Sequence, residues 1–553
     1  MEWGGWWGRY GRLWFWAWFW LCGAAACQQR PAMVAVPTPM ATAPPVPATV
    51  VVAEVAVTVT VSPDNAATLV PTAMPVRWRV GADGAVPAAV REAVAASALF
   101  EWGDGETADL QLTINEGEPV AEWVYAVVGA FPTIADGVTL ADLQARWTAG
   151  ELVVDETMAA FLAAEWGAVV SPLVVEDVRA VLWAERPSMG LIPFEELTPD
   201  LKVLAVDGVS PLAADFAAAG YPLTVGVGVR GEPTAVAQLQ AFLPEVLTNR
   251  DAARLTRIAM TGVTALVRAT AWQMETRGVL VPGTAVAPVL QTADIAHVSN
   301  EVAFSPDCPY PEPVGGTSFC SRDSYLALLT ELGIDVVELT GNHVNDYGAA
   351  NLVHSLDLYA AAGMVTFGGG RDLAAAQEPA VFVDHGNRIA FVGCNVVGPA
   401  YAWATSDQAG ARPCDEGFYA QISQLKAEGY VVIATLQYQE YYHYEATAVQ
   451  QEAFRAVAAA GATAVSGSQG HHAQGFEFYD GSFVHYGLGN LFFDQMDMMG
   501  TRQTFVDEYV VYDGRLLNVA LWTGLIESWC CPREMTVEER EGVLTAVFQA
   551  SGW

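Results

Sequence analysis

Basic residues are scarce in this chain: 26 lysines and arginines stand against 62 aspartates and glutamates in 553 residues, a formal net charge of −36. A surface of that sign repels phosphate backbones, which excludes nucleic acid as a partner, and it argues against adhesion to anionic lipid through a basic patch. No internal stretch is both long and apolar enough to read as a transmembrane helix. No segment repeats at a fixed short period, so a solenoid is excluded. Cysteine is rare, at eight residues. Against these absences stands an apolar content of 52%, too high for a disordered acidic chain. The length allows about two to four domains with real cores.

The N-terminus points to export. Arg9 and Arg12 precede an apolar run from Leu13 to Leu21, and Gly23-Ala24-Ala25-Ala26-Cys27 follows. This is the order of a secretory signal, read over residues 1–27. A cysteine directly after small residues resembles a bacterial lipobox with Cys27 as the acylated residue, although Ala24 stands where leucine is preferred. The alternatives are ordinary cleavage nearby and an uncleaved Trp-rich anchor. Residues 28–76, rich in Pro, Ala, Thr and Val, read as an extended tether that holds the folded part off the membrane. A lipid anchor then places the protein on the outer face of the cytoplasmic membrane.

In an exported chain the six cysteines beyond Cys22 and Cys27 are disulfide candidates. Cys308 with Cys320, and Cys394 with Cys414, each bracket a Pro- or Gly-bearing loop and are the expected pairs, with buried free thiols as the alternative. Adjacent Cys530-Cys531 lacks the spacing of a zinc or redox motif and stays unassigned.

From residue 77 to 248, strand-like runs alternate with Ala-rich helical stretches. Leu110–Ile114, Trp123–Val128 and Leu201–Val206 read as strands; 88–99, 139–148 and 156–165 read as helices. That alternation predicts an α/β domain. The pieces Ala130–Leu140, Leu191–Leu197 and Val206–Pro211 resemble a periplasmic solute-binding domain, which implies a ligand cleft between two lobes. A purely structural α/β module is the competing reading.

Residues 250–553 carry the polar motifs. Ile334–Val337 reads as a buried strand and leads into Glu338-Leu-Thr-Gly-Asn-His-Val-Asn-Asp-Tyr-Gly348. Asn342 and His343 therefore fall at the carboxyl end of a strand, where open α/β sheets place ligands. Asn342 offers a carbonyl oxygen to a metal, and His343 is a ligand or a proton donor. A helix-capping Asn beside a surface His is the structural alternative. Further motifs follow the same strand-then-polar order: Asn300-Glu301, Gln437-Tyr-Gln-Glu440, Ser468-Gln469-Gly470-His471-His472, and Tyr486-Gly-Leu-Gly-Asn-Leu491. His485 lies in an apolar strand and reads as a satisfied core residue.

In this order, over about residues 255–500, the motifs resemble the CapA family of capsule or poly-γ-glutamate synthesis proteins, whose domain is similar to calcineurin-like metallophosphoesterases. The resemblance implies an αββα sandwich with site residues on strand-end loops. It also exposes losses. The family's early Gly-Asp is Gly262-Val263 here, His-Trp-Gly is Gln437-Tyr438-Gln439, and Gly-His-His-Pro-His is Gly467-Ser468-Gln469-Gly470-His471. Metallophosphoesterases clamp phosphoryl oxygens with two cations held by carboxylates, imidazoles and Asn, so much of that ligand set is gone.

Three readings of the remainder stay open. One divalent cation on Glu301, Asn342, Asp346 and His471 would leave His343 as general acid. A polar cleft without turnover would bind ligand through Gln437, Glu440, Ser468, Gln469 and His472. A buried polar network would only maintain the fold. The expectation for the whole is an exported envelope protein that works with an extracellular polymer or its synthesis machinery. A divergent metal-dependent hydrolase and a solute-binding lipoprotein are the alternatives.

Overall fold

Apolar runs became strands and Ala-rich stretches helices in the computed structural model, which describes residues 77–103 and 107–553. The signal, tether and Cys27 expectations lie outside the described residues. The fold class is α/β, with two α/β parts in succession.

An eleven-stranded mixed sheet draws all its strands from residues 78–248. Its central strand, Glu118–Ala130, is buried over nearly its whole length and pairs antiparallel with Thr224–Gly231, Met189–Pro193 and Leu201–Val206. A strand buried on both faces needs the continuous apolar run that Trp123–Ala130 supplies. The flanking helices start at side-chain caps: Thr139 accepts from the Asp142 amide and Asp155 from the Met158 amide, satisfying otherwise orphaned donors. The helix expected over 88–99 ends sooner, at Ala95. There the Ser97 hydroxyl accepts from the Leu99 amide at 3.2 Å, a local bond that competes with helical continuation.

Residues from Leu255 onward form two stacked sheets. One runs Val365–Phe367, Val336–Glu338, Ile295–Asn300, Leu255–Thr261, Gln503–Tyr512, Arg515–Glu527, Cys531–Glu534. The other runs Ala380–Asp384, Asn387–Asn395, Val431–Gln437, Ala464–Ser466, Ser482–His485, Phe476–Tyr479. Ile258, Met260, Ile295 and Val336 from the first meet Ile389, Phe391, Ile433 and Phe483 from the second in one core. Each such side chain contributes about 1.5–3 kcal/mol by leaving water. The outer face of the first sheet is covered by helices that include Ala349–Ala361, and that of the second by Glu416–Ala427 and Ala448–Ala459. The layers are αββα.

The two parts interlock, and the described residues from 77 onward pack as one unit. Phe131, 2% exposed, leaves its own sheet for the second part's core. There it lies 5.2–6.0 Å from the rings of Phe476, Phe478, Phe483, Phe548 and Trp553. In return Leu255, Val510, Tyr512 and Leu517 join the core of the first part. Polar ties flank the exchange: Asn518 donates to the Leu201 carbonyl at 2.8 Å, and Arg540 meets Asp136 at 2.8 Å.

The sulfurs of Cys308 and Cys320, and of Cys394 and Cys414, lie at disulfide distance. Cys530 and Cys531 pair with each other across one peptide bond. This tight turn follows Ser528 and Trp529, both at positive φ.

Candidate functional site

Parallel strands deliver their carboxyl ends to one rim, and the polar motifs sit there. Ile295–Asn300 leads into Glu301, Val336–Glu338 into Asn342 and His343, Val431–Gln437 into Glu440, and Ala464–Ser466 into His471. Close approach of these loops requires glycine. A Cβ on Gly341 would stand 2.7 Å from the Glu301 Cα, and one on Gly262 only 1.9 Å from the Gly489 carbonyl oxygen.

Glu301, 2% exposed, occupies the middle. Its Oε1 lies 3.6 Å from His343 Nε2 and its Oε2 lies 3.8 Å from His471 Nε2. On the far side His471 Nε2 lies 3.5 Å from Glu440 Oε1. The four groups form a chain, His343, Glu301, His471, Glu440, of alternating potential charge.

Both rings are held from behind. His343 Nδ1 lies 2.6 Å from Asp346 Oδ2, which also accepts from the Phe319 amide at 2.9 Å. The other Asp346 oxygen accepts from the Tyr401 hydroxyl at 3.0 Å. His471 Nδ1 lies 2.7 Å from Asn490 Oδ1. The Asn490 amide nitrogen donates to the Thr501 carbonyl, so its oxygen accepts and His471 Nδ1 carries the proton. Phe319 packs on His343 at 4.6 Å, and Phe493 stacks on His471 at 5.2 Å. Arg268, paired with Asp494, lies over both of those phenyl rings.

Burial opposes charge on His471, but Glu301, Glu440 and Asn490 outweigh it and carry its pKa up to about 9. Burial is likewise overcome at His343 by Asp346 and Glu301, which raise its pKa, against an opposing effect of His471. The imidazole of His471 beside Glu440 lowers that carboxyl to about 2. At neutral pH His471 is therefore an imidazolium, and the shift at His343 favours its charged form.

The remaining sequence candidates divide. Gln437, Glu301 and Gln469 are 2% exposed and Asn342 is half-buried; Gln437 Oε1, Asn342 Oδ1, Glu301 Oε2 and Gln469 Oε1 are buried atoms with no partner. Every one of these orphaned atoms is an acceptor. Ser468 faces inward instead, donating to Glu338, a fully buried carboxylate that also accepts from Thr340 and lies 3.3 Å from His297. Gln469 Nε2 donates to the buried Ser299 hydroxyl at 2.5 Å. His472 turns away: its Nδ1 donates to its neighbour's carbonyl, Ala473 O, at 2.6 Å and its ring packs on Tyr444. His485 is fully buried against Asp507, 2.8 Å away.

A metal fits this donor set poorly. Ligand atoms sharing one ion at about 2.1 Å stand at most about 4.2 Å apart. Among the described residues, only Asp294, Asp384 and His385 bring three His, Cys, Asp or Glu ligand atoms within 4.8 Å of one another. The Glu301 chain does not converge, both Asp346 oxygens are engaged, and the early Asp position is Val263, fully buried. No step through a metal is derived.

Sequence reasoning quoted the motif around Asn490 without giving that residue a role, and passed over Phe319, Phe493 and Tyr401. Asn490 follows a strand-end Gly-Leu-Gly, a signal comparable to the one at Gly341-Asn342.

Comparison with known proteins places this geometry. Residues 257–495 match the family described as bacterial capsule synthesis protein PGA_cap. The chain is 29% identical over 215 residues to the PGA biosynthesis protein CapA of Bacillus subtilis (strain 168), covering 38% of this chain and 56% of that protein. It is 24% identical over 217 residues to the capsule biosynthesis protein CapA of Bacillus anthracis, covering 38% and 53%. A probable polyglutamine synthesis accessory protein of Mycobacterium tuberculosis is 28% identical over 242 residues, at 41% and 62%. The chain thus spans little more than half the length of these curated relatives. Among solved structures, a 5'-nucleotidase precursor from Thermus thermophilus aligns at 14% identity and TM-score 0.31, covering 54% of this chain and 59% of that one. A phosphate transport receptor from Vibrio cholerae aligns at 13% identity and TM-score 0.26, covering 30% and 93%. At such scores these two carry no argument about function.

Proposed function

We propose that this chain is an accessory protein of capsule or poly-glutamate synthesis, and that the cleft at Glu301, His343 and His471 binds the polymer without hydrolysing it. The observation that carries the reading is the set of buried acceptors without a partner. Asn342 Oδ1, Gln437 Oε1 and Gln469 Oε1 are buried and unpartnered, and a buried acceptor left unpaired costs about 1–3 kcal/mol. A polyamide supplies the missing N–H donors along its backbone. Asp346 and Asn490 hold the two imidazole rings of the cleft in place.

His343, Glu301, Asn342, Gln437, Glu440, Gln469 and His471 are the binding residues in this reading; Asp346 and Asn490 are positioning residues. Export by the N-terminal signal, anchoring through Cys27 and the tether over residues 28–76 belong to the same proposal, because they deliver the cleft to the side of the membrane where an extracellular polymer lies. Among the described residues no helix is long and apolar enough to cross a membrane. The first part, residues 77–248, is assigned a supporting place beside the CapA-family domain.

The test pairs two measurements on the full chain. Calorimetry with poly-γ-glutamate oligomers is expected to show saturable binding that falls about tenfold in Asn342→Ala and in His471→Gln. Metal analysis after loading with manganese, zinc and calcium is expected to show no stoichiometric retention. One or more equivalents of metal, lost in a Glu301→Ala/His343→Ala double variant, would overturn the non-hydrolytic reading and call for a phosphoesterase screen. Oligomer binding unaltered by both single variants would remove the cleft from the proposal.

A further inference from the structure

A second cavity lies where the two parts of the chain meet, and none of its lining residues belongs to the cluster around Glu301. Its volume is about 540 Å³, inside the range of about 300–1,000 Å³ usual for small-molecule sites, which favour domain junctions. Trp183, Phe478 and Trp553 supply aromatic walls: Trp553 stacks on Phe478 at 5.6 Å and 17°, and Trp183 meets Trp553 edge-on at 5.7 Å.

Two arginine–carboxylate pairs provide the polar margin. Arg179 contributes its Nε to Asp200 at 3.0 and 2.7 Å. Arg455 contributes Nε and one terminal nitrogen to Glu477, between 2.6 and 3.0 Å. The arginine side chains remain 55% and 40% exposed. Each guanidinium therefore has N–H groups beyond the pair. The Asp200 carboxylate is held in place by the Thr198 hydroxyl, and that of Glu477 by the Tyr486 hydroxyl.

Charge selects the ligand class. Two guanidinium groups are each matched by a carboxylate, so the pairs leave no net charge to neutralise an anion or a cation. What they offer is a set of fixed donors and acceptors side by side, set beside flat apolar rings. A ligand complementary to that surface is neutral, carries several hydroxyl groups that donate and accept at once, and has an apolar face to lay on an aromatic wall. A pyranose ring has all three properties.

We propose that this junction cavity is a binding site for a neutral saccharide, separate from the cleft that the proposed function uses. Arg179 and Arg455 with their carboxylates read the hydroxyl groups, and the Trp553–Phe478 wall receives the C–H face. Because both parts of the chain contribute, occupancy also clamps the junction.

Saturation-transfer NMR and calorimetry on the full chain test this, with glucose, N-acetylglucosamine and N,N'-diacetylchitobiose as probes and with glutamate and inorganic phosphate as charged controls. At least one sugar is expected to bind saturably. Ala180→Trp, at an exposed helical position on the cavity wall, is expected to abolish that binding. Gln451→Ala, at another residue lining the cavity, and Arg455→Gln are expected to weaken it about tenfold, with the urea midpoint of Gln451→Ala unchanged. Tighter binding of the disaccharide than of either monosaccharide identifies a polysaccharide end as the source, and the reverse identifies free sugar; both support the site. Absence of binding by all three sugars at millimolar concentration overturns it. So does sugar binding that survives Ala180→Trp, or preferential binding of glutamate or phosphate there.

Discussion

Replacing Glu301 with glutamine tests the electrostatic account of the cleft. His471 is 5% exposed, so solvent screens its interactions little. Its displacement from 6.5 to about 9 corresponds to about 3 kcal/mol, at about 1.4 kcal/mol per unit. The folded-state pKa is raised, so the stabilisation is fully present below the unfolded value of 6.5 and is lost as pH rises through about 9. His343 is raised in the same direction. Urea unfolding of the full chain should therefore show stability falling by about 3 kcal/mol or more between pH 6.5 and pH 9.5 from this cluster. In Glu301→Gln the carboxylate that both rings face is gone, and the fall should shrink to less than about half, with Glu440 and Asn490 left to support His471. Direct observation is also open, because the chain has only eight histidines and His471 should be the ring that titrates latest by carbon-detected NMR. An undiminished pH dependence in Glu301→Gln would refute the reasoning.

Other consequences are as concrete. Phe131→Ala should cost about 3–5 kcal/mol, read from the urea midpoint, because five aromatic rings lose their common neighbour. Gly262→Ala should destabilise by more than about 2 kcal/mol or block expression of folded protein, since its Cβ meets backbone at 1.9 Å; wild-type stability would contradict the close approach. Non-reducing peptide mapping should recover Cys308 with Cys320 and Cys394 with Cys414, and the Cys394→Ser/Cys414→Ser double variant should lose about 2–4 kcal/mol. Asp346→Asn should lower the pKa of His343, because the anionic partner at Nδ1 is removed, and a histidine titration that stays put would show Asp346 to be a bystander.

Much of this was legible in the sequence because strands and motifs alternate. The run Ile334–Val337 followed by Gly-Asn-His located the rim directly. Residue type could not reveal direction. Adjacent His471 and His472 leave their backbone on opposite sides, one toward Glu301 and one toward Tyr444. Ser468 looked suited to ligand, yet the turn closed by the Gly470 amide on the Gly467 carbonyl directs it to the buried Glu338. Asn490 is separated from His471 by 19 positions, a contact that only the completed fold creates. The pairing of Cys530 with Cys531 was hidden for a similar reason, since adjacent cysteines carry no spacing signal.

The exchange of Phe131 for Tyr512 and Leu517 has a bearing on the order of synthesis. On a ribosome the strands of residues 77–248 are complete long before residues 476–553 emerge. Until then Phe131 and Trp183 lack the rings that cover them, and Leu255 reaches the first core without Val510 beside it. The first part is finished by the last, so a nascent or truncated chain presents an aromatic patch that invites association with other chains. Export in an unfolded state, with folding only after the whole chain has arrived, would avoid that hazard.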